Sequence, residues 1–176
     1  IAECKRMKIP VLAPDINESF GGFTVVKDDE TRVEKIRFGL YTIKNLGEGI
    51  ADTIIAERKK NGKFKSLVDF LDRIRDKNLN KKSLEALIKT RAMDGLGERG
   101  QLLANLENIL GYSKEKNAGK DHQSLFGLMS DMSTVPGLRL NPAPTATNEE
   151  KLTWERDLLG LFISGHPLDK FREKLE

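Results

Sequence analysis

The sequence predicts a mainly α fold with a small β-hairpin near its start. Three observations carry that expectation. From Leu40 to Leu110 the apolar residues recur at helical spacing. Ahead of Leu40, two short runs rich in β-branched and aromatic residues flank a polar turn. Finally, a unit of polar or small residue, apolar residue, second such residue and amphipathic helix occurs twice, 33 residues apart.

Residues 2–8 read as the closing turns of a helix. Pro10 and Pro14 then impose an extended stretch, since proline fixes φ and disfavours helix in the residue before it. Residues 23–27 and 33–38 read as strands around the turn Asp28-Asp29-Glu30, and Gly39 ends the second. Leu40, Ile43 and Leu46 share one helical face. Ile50, Ile54 and Ile55 share another, divided from the first by Gly47 and Gly49. Asn61-Gly62 is a helix C-cap signal. Ser66 with Asp69 resembles a capping box ahead of Leu67, Phe70, Leu71 and Ile74. Asn80 caps the helix that carries Leu84, Leu87 and Ile88. After Gly95 and Gly97, the stripe Leu102, Leu103, Leu106, Ile109 and Leu110 runs to a stop at Gly111. Residues 113–148 hold Pro136, Pro142 and Pro144 among many Ser, Thr, Asn and Gly, and read as a flexible linker. Helical pattern resumes near Asn148 with Trp154, Leu158, Leu161 and Phe162, breaks at Ser164-Gly165-His166-Pro167, and restarts with Leu168, Phe171 and Leu175.

The 176 residues suit one domain or two small ones, and the first residue is Ile1, which suits a segment of a longer intracellular protein. Cys4 is the only cysteine, which excludes an internal disulfide and a cysteine-based zinc cluster. No apolar run approaches the ~20 residues of a membrane span. The two histidines, His122 and His166, have no ligand cluster beside them. Asp15 with Glu18, like Asp28 with Asp29, suits turn and cap roles better than metal ligation. Trp154 suits core packing better than base stacking. No nucleophile–base pair, carboxylate motif or phosphate loop supports catalysis by this chain. The net charge of +3 is unevenly spread. Residues 30–120 carry 20 basic and 13 acidic side chains, a balance of +7, between flanks of −1 and −3. A polyanion partner for the middle section fits that division, as does a solvated lysine-rich helical surface.

Asn45-Leu46-Gly47 aligns with Asn78-Leu79-Asn80, and Ala51, Ile54 and Ile55 with Leu84, Leu87 and Ile88. This pattern resembles a tandem helix-hairpin-helix. In that motif a tight turn needs positive φ, which glycine supplies and asparagine tolerates. The apolar residue locks the two helices, and a small residue such as Ala51 lets them pack closely. The second helix then starts with free N–H groups and a positive dipole end, which suit a DNA phosphate. The resemblance implies DNA-binding roles for Lys44, Asn45, Leu46, Gly47 and Gly49 in the first unit and for Asn78, Asn80, Lys81 and Lys82 in the second. Glu48 favours the helix dipole but repels a phosphate. Because Asn78 and Asn80 replace both glycines, the second unit can instead serve only to pack against the first.

Three further strings extend the resemblance: Glu3 to Met7 running into Pro14-Asp15-Ile16-Asn17-Glu18-Ser19, Phe38-Gly39-Leu40 leading into Ile43-Lys44, and Trp154 to Gly160 leading into Ser164-Gly165-His166-Pro167-Leu168. With Asn80 to Lys89 they are similar, in order and spacing, to the alpha subunits of bacterial DNA polymerase III, the C-family replicative polymerases. The resemblance implies four parts. Residues 1–39 would end the fingers region. Residues 40–112 would form the tandem helix-hairpin-helix domain. Residues 113–148 would be the linker, and 149–176 a helical segment leading toward an OB-fold. Catalytic carboxylates and their Mg2+ would lie in the family's palm, outside this chain, leaving no catalytic residue, metal or cofactor in it. His122-Gln123-Ser124-Leu125-Phe126 resembles the family's sliding-clamp-binding pentapeptide, with His122 where glutamine is usual. The implied partners are duplex DNA, the sliding clamp (the beta subunit) and other replicase subunits, without a membrane, in the bacterial cytoplasm near the nucleoid. The alternative is a structural connector with no DNA contact of its own.

Overall fold

The computed structural model describes residues 2–27, 33–118, 138–165 and 167. Helix α1 spans Ala2–Arg6, strand β1 Val11–Leu12, β2 Thr24–Lys27 and β3 Glu34–Arg37. A 3-10 turn at Leu40–Thr42 leads into α2 (Glu48–Asn61), α3 (Leu67–Arg73), α4 (Lys81–Lys89), α5 (Arg99–Ala104), α6 (Leu106–Ala118) and α7 (Asn148–Leu159). The fold is mostly helical with a small sheet, as the sequence predicts. The turn at 28–30 lies outside the described residues.

The sheet is larger than a hairpin. Its order is β1-β3-β2, with β2 antiparallel and β1 parallel to β3. The extended stretch between Pro10 and Pro14 supplies the extra strand. Proline cannot donate to a ladder, but its carbonyl can accept. Pro10 O takes the Ile36 N–H at 2.9 Å, and Leu12 O takes that of Phe38 at 3.0 Å.

Pro14-Asp15-Ile16-Asn17 and the two residues after it form a staple. The Asp15 carboxylate accepts the Asn17 N–H at 2.6 Å, and Ser19 Oγ accepts the Asp15 N–H at 2.9 Å. Ser19, fully buried, donates its hydroxyl to Phe38 O. The Asn17 side-chain amide pairs in both directions with the backbone of Phe64, at 3.0 and 2.7 Å. Ile16 gives its N–H to Ala92 O, and its carbonyl takes a 2.6 Å bond from the buried Arg58 guanidinium. One short turn thus joins the sheet, the α2–α3 loop and the segment after α4. Asp15 serves as a turn residue here, as expected from its position.

The core lies among the helices. Ile50, Ala51 and Ile54 of α2, Phe70 and Leu71 of α3, Leu84 and Leu87 of α4, and Ile109 of α6 are all buried in one cluster. Local signals set the helix ends. Gly62 closes α2 with φ 80°, a conformation that favours glycine, and gives its N–H to Arg58 O. Ser66 Oγ accepts the Asp69 N–H, while the Asp69 carboxylate reaches back to the Lys65 N–H. That backbone bond, assisted by the Arg73 guanidinium, holds the Asp69 carboxyl below its ordinary value against the opposing effect of burial.

Three local expectations fail. Gly111 does not stop the last stripe: α6 runs through it to Ala118. A helical glycine costs about 1 kcal/mol relative to alanine. Burial of Ile109, Leu110 and Tyr112 on either side outweighs that. The stripe is broken earlier, at Asn105, which caps the C-terminus of α5. Its buried amide bonds Gln101 O at 2.8 Å and pairs with the Asn141 backbone at 2.9 and 2.7 Å. This pairing brings residues 138–147, expected to be linker, onto the helices. Leu138 and Leu140 pack on the core, and Ala146 N–H donates to Glu98 at 3.0 Å. Lastly, α7 ends at Leu159, so Leu161 and Phe162 lie beyond it.

Candidate nucleic-acid interface

The first hairpin begins at the 3-10 turn. Ile43 N–H bonds Leu40 O, and Leu46 N–H bonds Ile43 O, both at 3.2 Å. Between them Asn45 takes φ 67°, the left-handed conformation its side chain tolerates. That turn swings Leu46 inward, where it is buried, and leaves Lys44, Asn45, Gly47, Glu48 and Gly49 exposed. The Lys44 N–H donates to Leu158 O of α7 at 3.0 Å, so the backbone of the turn is fixed from below.

Helix α2 starts at Glu48 with Gly47 as its N-cap. The first turn of any helix has N–H groups without intrahelical partners. In α3, α4, α5 and α7 the side chains of Ser66, Asn80, Glu98 and Thr147 each accept one of them. In α2 none of the described side chains does. Gly47 has φ −65°, which any residue can adopt, so the turn itself does not require glycine there. What glycine provides is access. A Cβ built at Gly47 or Gly49 would meet nothing within 4 Å, so open space lies over both residues. The start of α2 therefore offers exposed amides, a positive dipole end and the Lys44 side chain, with Glu48 as an opposing charge.

The second hairpin repeats the frame but not the site. Leu79 is buried like Leu46, and its N–H bonds Asp76 O at 2.9 Å, matching the Leu46–Ile43 bond 33 residues earlier. Neither Asn78 nor Asn80 has positive φ; Asn80 sits at −104° as the N-cap of α4. Asn80 Oδ1 accepts the Ser83 N–H at 3.1 Å, and Ser83 Oγ accepts the Asn80 N–H at 2.9 Å. The start of α4 is thus closed by the cap that Asn80 forms, as its sequence position predicts. Asp76 is tied in too. The Asn78 N–H, with help from the Thr53 hydroxyl, holds its carboxyl below the ordinary value against burial.

The lysines also divide. Lys81 forms an ion pair with Glu107 of α6, which raises the lysine's pKa and lowers that of the glutamate. Lys82 is exposed and lines a groove with Asn45, Lys89, Trp154, Asp157 and Leu158. The fold thus brings Asn45 of one hairpin and Lys82 of the other to one groove. Trp154, half-buried there, has the Lys89 ammonium 5.6 Å from its ring centre.

Two features of the interface were not legible in the sequence. Arg58, in the charged last turns of α2, is buried, and burial pushes its guanidinium below the ordinary value. Glu155 lies in a charged run of α7 yet is fully buried. Its carboxylate accepts the Ile163 and Ser164 N–H groups at 2.8 and 2.9 Å and the Ser164 hydroxyl. Residues 122–126 and His166 lie outside the described residues. Among the described residues, no group of three or more His, Cys, Asp or Glu side chains could hold a metal. Nor is any helix among them long and apolar enough to cross a membrane.

A family model described as a helix-hairpin-helix motif matches residues 8–102. Curated relatives named DNA polymerase III subunit alpha match almost the whole chain. That of Thermus aquaticus is 38% identical over 171 residues, covering 97% of this chain and 13% of the relative. That of Deinococcus radiodurans is 40% identical over 174 residues, covering 97% and 12%. That of Borreliella burgdorferi is 39% identical over 180 residues, covering 100% and 15%. The chain therefore spans between 12% and 15% of the length of these relatives.

Proposed function

The chain belongs to the helix-hairpin-helix family, and from that membership we propose that it binds duplex DNA through backbone phosphates, without sequence preference, as part of a replicative polymerase. The observation that carries the reading is the start of α2. Its amides have no side-chain cap, and open space lies above Gly47 and Gly49 beside the exposed Lys44. A phosphate oxygen accepting from these N–H groups would meet the dipole end and a lysine together. The self-capped second hairpin supports a lesser role for Asn78, Asn80 and Lys81, as a brace for the first. Lys82 would add charge from the shared groove.

In this reading the 176-residue chain grips DNA and helps keep the longer protein on it. Catalysis and its Mg2+ belong to other parts of that protein, which would work in the bacterial cytoplasm with other replicase subunits. A salt titration tests the DNA contact. The logarithm of duplex affinity should fall linearly with the logarithm of salt concentration, with one slope for duplexes of different sequence. Absence of binding even at low salt would favour a structural connector instead.

The resemblance of His122-Gln123-Ser124-Leu125-Phe126 to a sliding-clamp-binding pentapeptide also supports a clamp contact there. Two adjacent apolar side chains suit insertion into an apolar groove, where buried anchors dominate the energy. Leu125→Ala combined with Phe126→Ala should abolish association with the clamp in a pull-down. Retained association would assign that contact to another segment.

A further inference from the structure

We propose a second nucleic-acid site on the far end of α2, where Phe20 forms a stacking platform for a base of a single strand. Phe20 is 44% exposed, although it lies within a tightly bonded part of the fold. Its carbonyl accepts the Leu40 N–H at 2.8 Å, and Gly21 O accepts the Tyr41 N–H at 3.0 Å. The ring is thus presented by fixed backbone and not by a loose loop.

Cations surround it. The Arg58 guanidinium lies 5.4 Å and the Lys59 ammonium 5.3 Å from the ring centre. Arg58 is buried and bonded to Ile16 O, so it supports the ring from the protein side. Lys59, which lies over the ring, is exposed, and so is the next residue, Lys60. Among the described residues neither lysine has an ion-pair partner, whereas nearby Lys63 is held by Glu18.

A second aromatic ring adjoins. Tyr41 is 42% exposed and packs over Gly21, where a Cβ would come within 2.4 Å of its ring carbons. Its hydroxyl bonds the Asp52 carboxylate. Exposed aromatic rings stabilise single strands by stacking on unpaired bases, and adjacent cations neutralise the backbone. A duplex, with its bases stacked inside, could not use the ring faces. The site therefore differs in substrate from the first hairpin; it shares with that reading only nucleic acid as ligand.

The test uses the 176-residue chain with a fluorescein-labelled oligothymidylate and, in parallel, a labelled duplex. Phe20→Leu keeps the apolar bulk and removes the π face. It should weaken oligothymidylate binding by about tenfold, from the usual strength of one base–aromatic stack, while duplex affinity changes little. Gly47→Val should do the reverse, lowering duplex affinity and sparing the single strand. A strand carrying 2-aminopurine should lose fluorescence on binding the parent chain and recover it with Phe20→Leu. Unchanged oligothymidylate affinity in Phe20→Leu would overturn the proposal. An equal loss on the duplex would overturn it as well. If only the hairpin reading fails, Gly47→Val leaves duplex binding intact while the Phe20 effect persists.

Discussion

Replacing Gly47 with valine is expected to lower duplex affinity by about tenfold at low salt, a loss of about 1.4 kcal/mol. Thermal stability should remain close to that of the parent chain. The two effects separate because of the local geometry. Gly47 has φ −65° and ψ 149°, an extended conformation that valine adopts readily. The added side chain meets no neighbour, since the space above Gly47 is open. That same space is where a phosphate would sit against the first amides of α2. The magnitude follows from weakening one charge-assisted hydrogen bond, about 1.5–3 kcal/mol when fully made. Fluorescence anisotropy with a labelled duplex, paired with a melting curve, measures both quantities. A variant that binds like the parent would remove the first hairpin from the interface. The parallel substitution Asn80→Ala should cost about 1 kcal/mol of stability through loss of a helix cap, with little effect on affinity.

The largest stability effects are expected at the paired apolar plugs. Leu46 and Leu79 are both buried, at 5% and 7% exposure, and each locks a hairpin to its neighbours. Truncating either to alanine should cost about 2–5 kcal/mol, the transfer term plus a cavity. They should differ in binding. Leu46 lies between Asn45 and Gly47, so its loss frees the turn that aims the α2 amides. Leu46→Ala should weaken duplex binding well below the melting temperature. Leu79→Ala should leave affinity nearly unchanged there, because the α4 amide it positions is already held by Asn80. Chemical denaturation gives the stability change and anisotropy the affinity. Equal affinity losses for the two variants would mean that both hairpins contact DNA.

Much of the local architecture was legible. The caps at Ser66 and Asn80, the end of α2 at Gly62 and the left-handed turn at Asn45 each depend on the chemistry of a few successive residues. The repeat of 33 residues survives in the fold as matching turns and matching helix starts at Glu48 and Lys81. The breaks between elements depend on distant partners. Gly111 has the sequence character of a helix stop, yet packing carries α6 through it. Asn105 resembles any polar residue in a helical stripe, but it pairs with Asn141, 36 residues away. β1 depends on a distant partner as well, because Val11 and Leu12 make a strand only beside Ile36 and Arg37.

The site shows the same division. Spacing and charge along the chain show two similar units 33 residues apart on a basic stretch, with Lys44 and Gly47 in one and Lys81 and Lys82 in the other. These are properties of neighbours along the chain, where turn preferences and helix dipoles act over one or two helical turns. Only the tertiary structure decided which hairpin remains open. The start of α2 has no side-chain cap, whereas α4 is closed by Asn80 and Ser83, and Glu107 takes Lys81 from across the fold. It also decided that Arg58 and Glu155 are interior and that Phe20 stays outside. Charge density is additive along a sequence. Access is not, because an amide or a ring is open only when nothing folded from elsewhere covers it.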